Sequence, residues 1–316
     1  MKKEELLFHK DIEAFLTFRE SLGFKRISYE SYLRSFSRQC SSDYSDDSVL
    51  SRGMVMDYMD NQTSELSRKA SCLRLFATYL TAIGKEAYII PKDMYRVQAP
   101  QAPHVFSDEE MTVLFQSIDS LDPAKGWIAT MAPTLFRLIY TCGLRPGEGC
   151  DLKRSNINFT TGEILIEHSK RKKDRLVVMS DDMLKQCNLF DLKRQICGIP
   201  GDFFFAGPDG NPYKESFVNS TFVSCWKNAY KKLNEKGTPP RVRVYCLRHR
   251  FATAVIHRWL DKKQDLRNKL PYLQVYMGHD RLTDTTYYLH LLPENLVKSA
   301  GIDWKVFDGI IPEVDT

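Results

Sequence analysis

The sequence predicts a mainly α-helical protein of two domains, with one small β-sheet confined to the second. Its 316 residues suffice for about two domains, each with its own core. Apolar residues recur at helical spacing along most of the chain, and only two short β-branched runs, GEILIEH and RLVVMS, read as paired strands. Hydrophobic residues make up 43% and charged residues 27%, which excludes a disordered or fibrous chain.

Residues 1–95 are expected to form a helical bundle. Ile12, Phe15, Leu16 and Phe18 recur at helical spacing, as do Tyr29, Tyr32, Leu33 and Phe36, and then Leu66, Ala70, Leu73, Phe76, Ala77 and Leu80. The Ser/Asp-rich stretch SSDYSDDSVL suits a loop and a helix N-cap, and Gly84 suits a C-cap. Prolines at 91, 100 and 103 interrupt helix formation, so 96–104 reads as a linker and 105–316 as the second domain. Ser107 followed by three acids predicts a capped helix there, since the helix dipole favours negative charge in the first turn. An apolar helix follows over Trp127–Tyr140, then a hairpin over about Glu163–Ser180 and a helix over 181–198. A short aromatic strand at Phe203–Phe205, the turn PDGNP and a helix from about Lys214 to Leu233 complete the reading.

No apolar run approaches the roughly 18 residues of a membrane span, and MKKEELLFHK carries acids where a signal peptide needs an apolar stretch. A cytoplasmic protein with no membrane partner is expected. The eight cysteines form no CxxC pair and no Cys/His cluster at zinc spacing, so they are expected as reduced thiols. No metal and no cofactor is expected.

Lys plus Arg (45) exceeds Asp plus Glu (40) by only five, so charge distribution carries more information than net charge. Lys227–Arg250 holds eight basic residues against Glu235 alone, and the hairpin turn holds Lys170, Arg171, Lys172, Lys173 and Arg175 against Asp174. Two such clusters in one domain point to a phosphate backbone as partner.

Four segments then have to be read together: TCGLRPGEGCDL at 141–152, HSKRKKDRLVV at 168–178, YCLRHRFAT at 245–253 and MGHDRLTDTTYYLH at 277–290. In order and spacing they resemble the tyrosine recombinases, also called phage-type integrases. Thr141–Glu148 matches TGLRxxE with Cys142 interposed, Tyr245–His249 matches HxLRH, and Met277-Gly278-His279 matches LGH. Tyr288, nine residues after His279 and two before His290, matches the nucleophile; Lys170, Lys173, Arg175 and Val177 match K-x-x-K-x-R-x-V.

The resemblance implies an N-terminal core-type DNA-binding bundle and a C-terminal catalytic domain that together clamp duplex DNA. It implies four protomers on two sites, and strand exchange through a 3′-phosphotyrosine without ATP or metal. The candidate catalytic residues are Arg145, Lys170, Tyr245, Arg248, His279 and Tyr288; candidate DNA contacts are Arg171, Lys172, Lys173, Arg175, Arg241 and Arg243. The chemistry agrees with the residue types. Charge grows on the non-bridging oxygens during in-line attack, which suits the planar forks of Arg145 and Arg248. Tyr288 supplies the nucleophile, Lys170 a proton for the leaving 5′ oxygen, and His279 a hydrogen bond or proton transfer at the phosphate.

Alternatives stand beside these assignments. Tyr287 adjoins the nucleophile position, and Lys172 and Lys173 neighbour the proposed acid. Tyr245 stands where most of the family has His; a phenol still donates a hydrogen bond but does not relay protons near neutral pH as imidazole does. His249 is given a structural role, pointing about 100° from Arg248 around a helix. Two rival functions are a DNA-binding accessory protein of the same fold that no longer cleaves, and a topoisomerase-like monomer. The target site, the direction of recombination and the need for a second recombinase are not encoded in these motifs. Val306, Phe307, Ile310 and Ile311 give the C-terminal tail an apolar face suited to docking, in cis or in trans.

Overall fold

A computed structural model describes residues 6–44, 49–95, 102–167, 174–233 and 237–292. The chain divides into two compact units, Met1–Pro100 and Gln101–Thr316.

The first unit is built on helices α1 (His9–Ser21), α2 (Ile27–Asp43), α3 (Arg52–Asp60) and α4 (Leu66–Ala82). Their apolar stripes meet in one core, where Ile12, Phe15, Leu16, Leu33, Phe36, Leu73, Phe76 and Leu80 are buried. Phe18 departs from the expected stripe and is 49% exposed. It lies about 200° around the helix from Leu16 and packs its ring against Tyr79 at the bundle surface. The cap of α3 is Ser51, one residue past the Ser/Asp cluster, with its hydroxyl accepting from the Met54 amide at 3.2 Å.

The second unit contains α5 (Asp108–Asp119), α6 (Trp127–Thr141), α7 (Pro146–Cys150), strands β1 (Glu163–Ile166) and β2 (Arg175–Val178), α8 (Asp181–Ile196), α9 (Glu215–Leu233), α10 (Tyr245–Asp261), α11 (Leu266–Met277) and α12 (Leu282–Thr286). A 3₁₀ turn, Tyr287–Leu291, follows directly. Ser107 and Glu110 form the reciprocal cap that the acidic first turn of α5 predicts. Helix α6 is buried on nearly every side, with Ile128, Met131, Leu135, Phe136, Leu138 and Ile139 in the core, so it is the central post of the domain.

The hairpin is antiparallel, pairing Glu163 with Val178 and Ile166 with Arg175. Its period of two turns Ile164, Ile166, Val177 and Arg175 inward, and Leu165, Leu176 and Val178 outward. The expected strand at Phe203–Phe205 does not form: Phe203 makes only an isolated bridge to Lys153. Phe204 and Phe205 are buried against Phe190, so their apolar signal reflects core packing in a loop, not strand pairing.

Candidate active site

The site gathers around the C-terminal end of α11. A helix end leaves its last carbonyls without intrahelical partners and concentrates negative potential there. Here three consecutive carbonyls are taken by three arginines from distant parts of the chain. The Tyr276 carbonyl accepts from Arg175 Nε at 2.9 Å, that of Met277 from Arg248 Nη2 at 2.6 Å, and that of Gly278 from Arg145 Nη2. Gly278, at φ +64°, closes the helix in the left-handed region that glycine enters without strain.

Arg248 is fully buried on the first turn of α10, and its Nη1 also donates to the Gly143 carbonyl at 2.6 Å. Gly143 has to be glycine twice over, since its φ is +61° and a Cβ would stand 2.5 Å from the Phe251 ring. Burial lowers the Arg248 pKa from the usual arginine range. Its Nε is buried without a partner among the described residues.

Arg145 stands at the start of α7. Its Nη1 and its backbone amide each donate to Glu148 at 2.8 Å. Glu148 also accepts both terminal nitrogens of Arg175, at 2.8 and 2.6 Å, so one carboxylate ties two guanidiniums together. Burial works to raise the Glu148 carboxyl; the Arg175 fork and charge, with Arg145, outweigh it and hold the pKa at about 2. Because the folded value lies below the ordinary 4.5, this contribution to stability is complete above about pH 4.5 and is lost as the pH falls toward 2. It amounts to about 3 kcal/mol. Glu148→Gln should flatten the acid limb of a stability-against-pH curve from urea unfolding. An unchanged steep limb would refute the assignment.

Tyr288, in the 3₁₀ turn after α12, is 2% exposed. Burial pushes its phenol up to about 12 against the pull of Arg248 and Arg145, so it is protonated at neutral pH. Two imidazoles border it. His279 stacks on the Tyr288 ring at 5.9 Å, and its Nδ1 lies 2.8 Å from the Thr285 hydroxyl. His249 lies 5.6 Å from the same ring and 4.9 Å from that of Tyr245, with Nδ1 buried and without a partner among the described residues. Burial, reinforced by Arg248, lowers His279 to about 3 and His249 to about 4, so both are neutral at pH 7. Tyr287 is half-buried with its ring edge-on to Tyr288, and His290 is exposed.

Arg145, Arg248, His279 and Tyr288, named from sequence, thus meet in one place. Tyr245 joins them at the N-terminus of α10 and, with Arg145, lines a cavity of about 510 Å³ that Lys153 and Glu167 also border. Arg241 and Arg243 are exposed beside a second cavity, of about 730 Å³, where Lys227, Lys231, Trp226 and Tyr230 also line the wall. Lys170, Arg171, Lys172 and Lys173 lie outside the described residues, as do Val306, Phe307, Ile310 and Ile311 of the tail. The expectation that Arg175 contacts DNA is corrected: its side chain is 6% exposed and its guanidinium is bonded to Glu148 and Tyr276. The parity of β2, which puts Arg175 on the same face as buried Val177, is the signal that would have found it. Glu148 is visible in the sequence as the last letter of its motif.

Among the described residues no helix is long and apolar enough to cross a membrane, and none of their His, Cys, Asp and Glu side chains group as a metal site would require.

A model of the phage integrase family matches residues 104–295. A Sinorhizobium fredii protein named as an integrase/recombinase is 27% identical over 284 residues, covering 88% of this chain and 90% of that protein. Tyrosine recombinase XerC of Halalkalibacterium halodurans is 26% identical over 252 residues, covering 74% of this chain and 73% of the relative. Among solved structures, the XerH site-specific recombinase bound to palindromic difH substrate in a post-cleavage complex shares the fold. Its TM-score is 0.65 at 18% identity, with 89% of this chain and 80% of that chain covered.

Proposed function

The chain belongs to the phage integrase family of tyrosine recombinases and is a DNA strand-cleaving and rejoining enzyme; we propose that Tyr288 is its nucleophile and that Arg145, Arg248 and His279 form the phosphate site. The observation that carries this reading is the convergence of a buried tyrosine, two arginines and a neutral histidine on the end of one helix.

The Tyr288 oxygen attacks the scissile phosphorus in line, its proton passes to a neighbouring base, and the 5′ oxygen leaves. Arg145 and Arg248 neutralise the charge that builds on the non-bridging oxygens. The unpartnered Nε of Arg248 supports this, since a buried donor gains most from an incoming acceptor. Neutral His279 is suited to receive or share a proton, and Tyr245 supplies a phenolic donor in place of the family's usual imidazole. Rejoining reverses the steps with a 5′ hydroxyl as nucleophile, so no ATP is required. Duplex DNA is the substrate, and four protomers on paired sites would carry out exchange. Arg241 and Arg243, with Arg171, Lys172 and Lys173 of the hairpin turn, are assigned to its phosphates. The test is covalent capture on a nicked duplex taken from the junctions flanking the protein's own gene. A denaturation-resistant protein–DNA adduct is expected, and its absence on a site located by footprinting would refute the reading.

Lys170 is assigned as the general acid that protonates the leaving 5′ oxygen. Lys170→Ala should slow adduct formation by about 10²–10⁴-fold on an ordinary phosphodiester. The loss should largely vanish when sulfur replaces the bridging 5′ oxygen, because a thiolate leaves without a proton. Equal losses on both substrates would remove Lys170 from that role.

A further inference from the structure

Arg175 is a buried cation with no direct part in the chemistry assigned above. A charge taken out of water is costly unless it is paired and hydrogen-bonded, and each guanidinium nitrogen of Arg175 is already bonded, to Glu148 or to the Tyr276 carbonyl, whereas Arg248 keeps an Nε without a partner among the described residues. What it does have is a link to Arg145, through Glu148, and to the end of α11. Both its terminal nitrogens hold Glu148, which also accepts from the amide and guanidinium of Arg145. Its Nε holds the Tyr276 carbonyl, one residue before the carbonyl held by Arg248 and two before the one held by Arg145. The turn into His279 rests on it: a Cβ at Gly278 would meet Arg175 Nη1 at 3.1 Å and Cδ at 3.2 Å.

We infer that Arg175 is a positioning residue for cleavage, which sets Arg145 through Glu148 and fixes the end of α11 from which the His279 turn departs. The inference rests on the recombinase reading of this site. Lysine cannot substitute, because a single ammonium does not reproduce a planar fork on Glu148 together with a third bond to Tyr276.

The test uses full-length Arg175→Lys, Arg175→Gln and Glu148→Gln on the nicked duplex, with the scissile linkage either an ordinary phosphodiester or a methylphosphonate. A methyl group in place of one non-bridging oxygen removes the charge that Arg145 and Arg248 neutralise, so a displaced arginine matters less there. Adduct formation on the phosphodiester is expected to fall by about 10²-fold, the scale of one misplaced transition-state donor. On the methylphosphonate the fall should be under about tenfold, relative to wild type on the same substrate. The dependence of DNA affinity on salt should be unchanged, because Arg175 neutralises no phosphate. Equal losses on both substrates would overturn the inference by making Arg175 a general support of the fold. A salt slope reduced by about one would overturn it by making Arg175 a phosphate contact. Should Arg175→Gln not fold, Arg175→Lys and Glu148→Gln carry the same comparison. A wild-type protein that forms no adduct on the phosphodiester refutes the recombinase reading itself, and the inference with it. A wild type that cleaves while the variants behave otherwise than expected removes only the role given to Arg175.

Discussion

Tyr288→Phe is expected to abolish covalent capture of DNA, lowering adduct formation by at least about 10⁴-fold, the scale on which loss of a nucleophile is felt. The substitution removes one oxygen from a ring that stays packed between His279 and His249, so fold and DNA affinity should change little. Tyr287→Phe is the matched control. Its ring lies beside that of Tyr288 and is more exposed, and the variant should keep adduct formation within about threefold of wild type, since it lies outside the arginine cluster. The readout is single-turnover capture on a nicked duplex, resolved on a denaturing gel. An adduct retained in Tyr288→Phe and lost in Tyr287→Phe would transfer the role to the neighbour.

The second large effect belongs to Arg248. Arg248→Ala should lower the cleavage rate by about 10³-fold, because one of two guanidiniums facing the developing charge is gone. It should also destabilise the domain. The Gly143 and Met277 carbonyls would lose their donors inside the core, at about 1–3 kcal/mol each, and a large cavity would open. Arg248→Lys separates the two effects: one ammonium can satisfy part of the carbonyl pair and retain much of the stability, but it lacks the fork and should stay at least about 10²-fold slow. Adduct rates measured beside thermal melts decide it. A lysine variant with wild-type rate would show that charge alone, without fork geometry, suffices.

The start of α5 and the hairpin were legible in the sequence because each is a local property. Ser107 with its acidic first turn predicted the α5 cap, and β-branched runs about a basic turn predicted β1 and β2. The ordered motifs named Arg145, Arg248, His279 and Tyr288. The aromatic run at Phe203–Phe205 misled because burial in a loop and burial in a strand select the same side chains.

What the sequence by itself determined is the chemical inventory and its order along the chain. Only the tertiary structure decided that Arg175, Arg248 and Arg145 donate to the successive carbonyls of Tyr276, Met277 and Gly278, and that Arg175 is buried with its fork on Glu148. The physical reason is range. These bonds join residues up to 133 positions apart, and they exist only because the packing of β2, α7 and α10 brings three guanidiniums to the unsatisfied end of α11.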